Sequence, residues 1–211
     1  MSAELNISAE AEALLAKLPA ISRPLIAKYF RSDFDVLQKA DDSPVTIADK
    51  SVEAALRDAI TERFPNHSII GEEEGGQASQ PYCWVIDPID GTRAFIIGKP
   101  LFSTLIALSY QGMPICGLID MPGLDETYIT RGGEAFLLSG GQEKKLATRQ
   151  TDSLANAHIA TTSPEAFTDR GWQVFQKLGA ACRSTHYGGD CYNYALLAAG
   201  HLDLVVEDQL A

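Results

Sequence analysis

The sequence predicts a mixed fold of the α+β or α/β class. In the first part of the chain, apolar residues recur at helical spacing over residues 14–29 and again over residues 52–64. Short apolar runs of strand length follow, bounded by glycine, proline or acidic residues. With 211 residues, of which 45% are hydrophobic and 21% are charged, the chain is long enough for one large domain or two small ones.

The first segments predict helices with a short strand between them. The helical pattern after Ser8 contains Pro19 and Pro24, so two helical pieces are expected. Residues 34–38 have the pattern of a short strand. The next helix begins at Asp49 or carries it one turn in, near the positive end of the helix dipole. An acid there is either a functional group or simply a favourable first-turn residue.

Two predicted strands end in acidic residues. Ser68–Gly71 leads into three consecutive glutamates, Glu72 to Glu74, and the strand over residues 82–86 leads into Asp87. Because Pro88 keeps the residue before it extended, Asp87 is expected at the tip of its strand. Each segment alone also has an ordinary interpretation, the glutamates as a solvated loop and Asp-Pro-x-Asp-Gly as a surface turn.

The turn after Asp87 is expected to bring a second aspartate back towards it. Asp90 is a good N-cap residue, and with Gly91 and Thr92 it opens a short helix predicted over residues 93–97. Two carboxylates in one corner raise each other's pKa unless a cation lies between them. Every candidate ligand is an oxygen, which predicts a hard divalent ion such as Mg²⁺. The backbone N–H groups of Gly91 and Thr92 would offer an adjoining phosphate site.

The rest of the chain predicts a strand-rich middle and an alternating last part. The polar stretch 139–153 is the preferred domain boundary, although it also fits a long hairpin loop. The expected domains are residues 1–145, α+β, and residues 146–211, a partial α/β domain. The expected elements are strands at 101–108 and 114–119, a hairpin of 127–130 and 134–138, a strand at 157–160, a helix capped by Ser163 and closed by Gly179, a strand near Cys182, a helix at 190–199 closed by Gly200, and a strand at 202–206.

Composition limits the classes of partner. The net charge of −11 disfavours binding to nucleic acids or to anionic membranes, and it would repel a phosphate substrate unless bound metal ions reversed the charge locally. The first residues lack a basic region followed by an apolar core, and no stretch approaches the roughly 18 apolar residues of a membrane span. The four cysteines contain no CxxC pair. A cytoplasmic protein with reduced thiols is therefore expected.

Taken together, the acidic segments resemble the signature of the inositol monophosphatase family, the Mg²⁺-dependent, lithium-sensitive phosphomonoesterases. The resemblance covers residues 35–211 and implies the layered αβαβα sandwich of that family. The matching motifs are Asp49, Glu72-Glu73, Asp87-Pro-Ile-Asp-Gly-Thr92, Gly71-Glu-Glu, Arg131-Gly-Gly-Glu-Ala-Phe and Ala199-Gly-His-Leu-Asp-Leu-Val-Val-Glu207.

The resemblance also implies a site. Two or three Mg²⁺ ions would be held by Glu72, Glu73, Asp87, Asp90 and the carbonyl of Ile89. Asp49 and Thr92 would orient the attacking water, with Glu72 as a further catalytic group. The phosphate would lie against Asp90, Gly91 and Thr92. No covalent intermediate is implied, and a homodimer is expected because dimers are common in the family.

The chain departs from the family pattern at its end. Members of the family carry another metal-binding aspartate, in a Trp-Asp or Tyr-Asp context, which by alignment lies beyond Glu207 and past the last residue, Ala211. Either these residues belong to a longer protein or the second metal is bound more weakly. The first interpretation is preferred because a unit that ends on an apolar strand would leave a bare sheet edge.

The expected substrate is a small phosphate monoester, with histidinol phosphate of histidine biosynthesis as the first choice. The segment Tyr187-Gly-Gly-Asp-Cys-Tyr-Asn-Tyr194 resembles the histidinol-phosphate phosphatase branch of the family. Asp190 could pair with the ammonium group of histidinol, or it could simply cap its helix. Glu207 resembles a position that contacts the leaving alcohol.

Three alternatives remain open. The first is an inositol-1-monophosphatase or a broad-specificity sugar or nucleotide phosphatase of the same family. The second is a haloacid-dehalogenase-like phosphatase, whose Asp-x-Asp-Gly-Thr motif spaces its acids two residues apart, whereas Asp87 and Asp90 are three apart. The third, from another class, is a catalytically impaired scaffold or regulatory homologue.

Overall fold

The computed structural model describes residues 2–32, 36–38 and 44–209. It forms two compact units, one reaching Lys144 and the other beginning at Lys145. The elements up to the boundary are α1 (Ser2–Leu15), α2 (Pro19–Tyr29), β1 (Val36–Gln38), β2 (Pro44–Thr46), α3 (Ile47–Arg63), β3 (Ser68–Gly71), β4 (Tyr82–Asp90), α4 (Thr92–Ile96), β5 (Ser103–Tyr110), β6 (Met113–Met121), β7 (Glu126–Arg131), β8 (Glu134–Ser139) and β9 (Gln142–Lys145). Beyond it are β10 (His158–Thr161), α5 (Asp169–Ala181), β11 (Ser184–Tyr187), α6 (Tyr192–Ala198) and β12 (Leu204–Val205).

The first unit is built on a seven-stranded mixed sheet in the order β3-β4-β5-β6-β7-β8-β9. Strands β3 and β4 are parallel, with Gly71 opposite Ile86, whereas the successive pairs from β4 to β8 are antiparallel. Because parallel strands run in the same direction, the residues that follow Gly71 and Ile86 lie next to each other, just beyond the last pair of β3 and β4. These residues are Glu72 and Asp87.

One face of this sheet packs against the helices. Trp84 and Ile86 of β4 are almost completely buried in a core that also contains Val52, Leu56 and Ile60 of α3. The helical spacing of those three residues places them on one face of α3, as the sequence predicted. Complete burial of a valine, leucine or isoleucine side chain stabilises a fold by about 1.5 to 3 kcal/mol. Helix α3 is thereby held against β4, and its first turn carries Asp49.

The second unit contains a three-stranded parallel sheet in the order β11-β10-β12. Helix α5 buries Phe175, whose ring contacts the rings of Trp172 and Tyr187. Gly200 follows α6 with a φ of 75°, a left-handed conformation that favours glycine. In the portions of the chain that the structure describes, no helix combines the length and apolar character that crossing a membrane requires.

Several predicted boundaries are wrong at the level of a few residues. The break between the first two helices is confirmed at Pro19, which is an N-terminal residue of α2, but Pro24 lies inside α2 without ending it. A proline costs a helix one hydrogen bond, and the packing of α2 through the buried Ile26 compensates for that loss. The strand predicted over residues 34–38 is described only from Val36 onwards, and residues 34 and 35 lie outside the described part.

In the second unit the helix predicted from Ser163 is divided. Ser163 caps only a short 3₁₀ turn, Pro164–Ala166, and α5 begins later, where the Thr168 hydroxyl accepts from Gly171 N. Helix α5 continues through Gly179 to Ala181. The helix expected from residue 190 begins at Tyr192, and the polar stretch after Ser139 forms the additional strand β9. The capping residue Ser163 therefore correctly indicated a turn. It did not indicate that α5 begins only at the following cap, Thr168.

A buried ion pair ties α2 to the sheet and leads to a first prediction. Asp120 of β6 is 0% exposed and accepts from Arg23 Nη2 at 2.9 Å and from the Thr127 hydroxyl at 2.6 Å. Replacing Asp120 with alanine should lower the free energy of unfolding by about 2 to 4 kcal/mol, because Arg23 loses its buried partner. Urea denaturation measures the change.

The control for this prediction is Arg63→Ala. Arg63 pairs with Glu10 at 2.8 Å, and both side chains are substantially exposed. An exposed pair of this kind contributes no more than about 0.5 kcal/mol. Equal effects of the two substitutions would show that the Asp120 network does not stabilise the fold beyond a surface ion pair.

Candidate metal centre

The two aspartates of the central motif lie on the same face of the sheet because of a β-bulge. The sequence predicted that this strand ends at residue 86. In the structure β4 instead continues to Asp90. Asp87 pairs with Leu105 and Asp90 pairs with Ser103, so three steps along β4 match two steps along β5. In a regular strand, residues three apart point to opposite faces, and one extra residue cancels that alternation. The predicted meeting of the two acids is thus produced by a bulge, and Asp90 does not cap a helix.

Glu72 reaches Asp87 from the neighbouring parallel strand. Its backbone N–H donates to the carbonyl of Ile86 at 3.2 Å, which extends the pairing of β3 with β4 by one residue. The carboxyl groups of Glu72 and Asp87 share a hydrogen bond. The acidic loop that could have been merely a solvated segment therefore carries one acid directly to the end of the paired region.

The surroundings of Asp87 strongly oppose its negative charge. Burial, followed by the charges of Glu72 and Asp90, the hydrogen bond with Glu72 and the charge of Asp49, raises the pKa of Asp87 to about 9. Asp49 exerts its effect from the first turn of α3, where it is only 2% exposed. Acids from α3, β4 and the loop after β3 therefore surround one carboxyl group with negative charge and favour its protonated form.

The Asp87 carboxylate fits a cation. Its Oδ1 atom is buried and accepts no hydrogen bond from the described residues, an arrangement that is rare for a buried carboxylate oxygen. A positive ion would both satisfy that oxygen and offset the repulsion from the neighbouring acids. The donors are all oxygens, which suits Mg²⁺. Within the described segments, however, no three His, Cys, Asp or Glu side chains are already arranged to hold an ion, so the full predicted ligand set is not preformed.

The predicted groups at Ile89, Gly91 and Thr92 lie in the turn into α4. The Thr92 hydroxyl donates to the carbonyl of Ile89 at 2.9 Å, so these two groups are adjacent. Gly91 is the N-cap of α4 with a φ of 81°, and α4 begins at Thr92. The predicted capping role of Asp90 is therefore wrong, because the left-handed backbone of the capping position requires a residue such as glycine.

Glu73 lies in the turn beside Glu72, and its backbone makes a hydrogen bond to α3. Its N–H donates to Glu53 Oε2 at 2.7 Å. Glu53 and Arg57 of α3 support this turn, and the sequence reasoning missed both. A signal was present, because Glu53 lies four residues after Asp49 and four before Arg57, on one stripe of the helix.

The two predicted substrate contacts Asp190 and Glu207 lie in the second unit. Asp190 has a φ of 47° and precedes α6, whose N-cap is Cys191. The alternative that Asp190 is the N-cap is therefore wrong. Glu207 accepts hydrogen bonds from the Thr161 hydroxyl at 3.0 Å and from the backbone N–H and hydroxyl of Thr162 at 2.9 Å each. Its carboxylate is thereby held beside the end of β10.

Comparisons with known proteins show which family the chain resembles as a whole. The model of the inositol monophosphatase family matches residues 9–211. The bifunctional phosphatase IMPL2, chloroplastic, of Arabidopsis thaliana is 46% identical over 192 residues, which cover 90% of this chain and 55% of that protein. The histidinol-phosphatase of Chlorobaculum parvum is 32% identical over 185 residues, which cover 87% of this chain and 71% of that protein. The chain thus spans little more than half the length of the Arabidopsis relative.

A solved structure shows the same fold. An inositol monophosphatase from Zymomonas mobilis superposes with a TM-score of 0.82 at 40% identity, and the match covers 95% of this chain and 77% of that one. The predicted layered fold of this family is confirmed. Proteins of the family use metal ions, generally Mg²⁺. By its sequence and its fold, the chain belongs to the inositol monophosphatase family.

Proposed function

We propose that this chain catalyses the Mg²⁺-dependent hydrolysis of a small phosphate monoester. The observation that carries the proposal is the Asp87 carboxylate, which is partly buried among other acids and has one buried oxygen without a hydrogen bond in the described structure. Such a group is costly to retain unless a cation completes it. A cation site at this position would give an acidic protein a local attraction for a phosphate group.

In this proposal the acids of the first unit hold the metal. The ligands are Asp87, Asp90, Glu72 and the carbonyl of Ile89, with Glu73 at the border of the site. Bound divalent ions supply positive charge that stabilises the phosphate and lowers the pKa of water. The chain supplies a confined set of oxygens at the end of two parallel strands.

The attacking water is oriented by Thr92 and Asp49. Because the Thr92 hydroxyl donates its proton to the Ile89 carbonyl, its oxygen offers only lone pairs to a water molecule. Asp49 provides a buried carboxylate that can accept the other proton of that water. The backbone N–H groups of Gly91 and Thr92 hold phosphate oxygens. The water oxygen bonds to phosphorus as the bond to the ester oxygen breaks, and the departing alkoxide takes its proton from water, so that no covalent enzyme intermediate forms.

Histidinol phosphate is the proposed substrate. The chain is similar to a histidinol-phosphatase at 32% identity. The ammonium group of histidinol gives an acid such as Asp190 a charged partner, whereas the hydroxyls of inositol gain less from a full negative charge. Glu207, whose oxygens already accept three hydrogen bonds, would offer its remaining acceptor position to the alcohol of the substrate.

A substrate panel tests the proposal. Phosphate release by the full chain is measured with histidinol phosphate, inositol 1-phosphate, fructose 1,6-bisphosphate and 3′-phosphoadenosine 5′-phosphate, each with Mg²⁺ and with EDTA. We expect Mg²⁺-dependent release with the highest kcat/KM for histidinol phosphate. A preference for another ester would reassign the substrate. Absence of turnover on all four would favour the scaffold alternative.

The role of Asp190 is tested by Asp190→Asn. Asparagine tolerates the left-handed backbone at this position, whereas alanine would add strain, so the substitution removes only the charge. We expect kcat/KM for histidinol phosphate to fall at least about 10-fold and that for inositol 1-phosphate to change by less than about 3-fold. Equal losses on the two substrates would exclude recognition of the ammonium group.

A further inference from the structure

A carboxylate of α3 holds the acidic turn that follows β3. Glu53 is 0% exposed, and it accepts from the backbone N–H of Glu73 at 2.7 Å and from that of Glu74 at 3.1 Å. Arg57 Nε donates to the same carboxylate at 2.8 Å. An isolated buried carboxylate would be strongly destabilising, and these three donors offset that cost.

The surrounding sequence makes room for this carboxylate. A Cβ atom at Gly71 would lie 2.0 Å from Glu53 Oε1, a distance at which the two could not coexist. Only glycine at the end of β3 therefore lets the carboxylate approach the turn. Asp49 and Glu53 are four residues apart, so they lie one above the other on the same side of α3. Helix α3 thus presents Asp49 to the metal centre and Glu53 to the backbone of the turn after β3.

A second contact from α3 closes the same turn. Arg57 Nη2 donates to the carbonyl of Gly75, which also accepts from Gly71 N at 2.9 Å. On the other side of the turn, Glu72 N is bound to the carbonyl of Ile86. Glu72 is consequently held between a strand on one side and amides fixed by α3 on the other. The backbone that carries the Glu72 side chain is therefore fixed on both sides.

We propose that Glu53 is a positioning residue that fixes the turn of Glu72 to Glu74 on α3 and so delivers Glu72 to the metal centre. This role rests on the proposed function, because it presumes that Glu72 is a metal ligand. The Glu53 carboxylate is itself occupied by Arg57 and by two backbone N–H groups, so we assign it no direct contact with metal or substrate. Its contribution is to order the ligand before the ion arrives, which lowers the entropy cost of binding.

The test is Glu53→Gln. Glutamine has nearly the same shape, but its NH₂ group must face either Glu73 N–H or the N–H groups of Arg57 and Glu74, and two donors cannot bond to each other. Two quantities are compared with the wild type: hydrogen exchange of the Glu73 and Glu74 amides in EDTA, and the Kd for Mg²⁺ by titration calorimetry. We expect exchange of these amides to be at least about 10-fold faster and the Kd to rise about 10- to 100-fold.

A kinetic measurement separates positioning from chemistry. If Glu53 acts only by placing Glu72, saturating Mg²⁺ should return kcat to within about 3-fold of the wild-type value. Arg57→Lys is the second, milder variant, since lysine keeps the positive charge beside Glu53 but cannot also span to Gly75. Its effect on the Mg²⁺ Kd should have the same direction and be smaller.

The matched control is Asp203→Asn in the second unit. The Asp203 carboxylate also accepts a backbone N–H, from His158 at 2.7 Å, and pairs with an arginine, Arg149, at 3.1 Å. Loss of this network should lower the melting temperature as Glu53→Gln does, while the Kd for Mg²⁺ stays unchanged. A simple loss of stability would not separate the two variants in this way.

The outcomes distinguish the two proposals. Unchanged exchange of the Glu73 and Glu74 amides in Glu53→Gln would overturn the positioning role, whatever the protein does with metal. Faster exchange with an unchanged Mg²⁺ Kd would overturn it as well, because the turn would then be irrelevant to the ion. A wild type that binds no Mg²⁺ would instead defeat the proposed function, and the positioning role would fall with it even if Glu53 orders the turn.

Discussion

Replacing Asp87 with asparagine should abolish phosphate release and at the same time stabilise the metal-free protein. We expect kcat/KM to fall by at least about 10³-fold, since this partly buried carboxylate is the proposed central ligand of the cation. The surroundings that raise the pKa of Asp87 to about 9 also oppose its charge in the folded state. Asparagine is neutral without having to retain a proton, so the substitution should increase the free energy of unfolding in EDTA at pH 8 by about 1 to 3 kcal/mol.

Activity and stability are both measured for this variant. Phosphate release is followed in Mg²⁺, and urea denaturation is followed in EDTA. Asp58→Asn is the control, because Asp58 is an exposed residue on α3 and its replacement removes the same formal charge. It should leave both quantities nearly unchanged. Full activity of Asp87→Asn would eliminate the metal assignment, and a loss of stability in EDTA would show that the carboxylate supports the fold.

In EDTA the protein should become less stable as the pH rises, and Mg²⁺ should reverse that trend. The pKa of Asp87 is raised from 3.8 to about 9 in the folded state, so between these values the folded protein retains a proton that the unfolded chain has lost. Unfolding therefore releases a proton, and the free energy of unfolding falls with pH by at most about 1.4 kcal/mol per unit in this window. Below about pH 4 both states are protonated and the effect disappears.

Mg²⁺ should stabilise the protein more at high pH than at low pH, because it competes with the proton for the same carboxylate. At a concentration of about 100 times its Kd, a ligand adds about 2.7 kcal/mol, which corresponds to roughly 5 to 10 °C in Tm for a chain of this size. Melting curves at pH 5.5 and 8.5, each with EDTA and with Mg²⁺, test this expectation. Asp87→Asn should lose most of the pH dependence in EDTA. An equal Mg²⁺ effect at both pH values would contradict the account.

Local patterns predicted the main elements because they depend on neighbours in the sequence. The helical spacing of Val52, Leu56 and Ile60 identified the buried face of α3, and the strand Ser68–Gly71 was predicted with the bounds it has in the structure. The capping positions were less predictable, since Ser163 and Thr168 carry the same local signal and tertiary packing selects the one that starts the long helix.

In the candidate site, too, some features could be predicted from the sequence and others depend on tertiary structure. The acids at the ends of two strands could be recognised from their order in the chain, but the pairing that unites them could not. Asp87 and Asp90 share a face only because β4 contains one more residue than β5 over that interval, and such a bulge is specified by the partner strand. Glu53 was overlooked because an acid among apolar helix residues acquires its partners from a loop about 20 residues away in the chain.

The amino-acid sequence by itself determined the family, the class of fold and the oxygen-rich chemistry of the site, because these follow from the types and order of residues. Only the tertiary structure decided which acids act on one another and which acid holds the loop in place. The physical reason is that the pKa of a carboxyl group depends on its burial and on charges a few ångströms away, and those charges come from α3, β4 and the loop after β3.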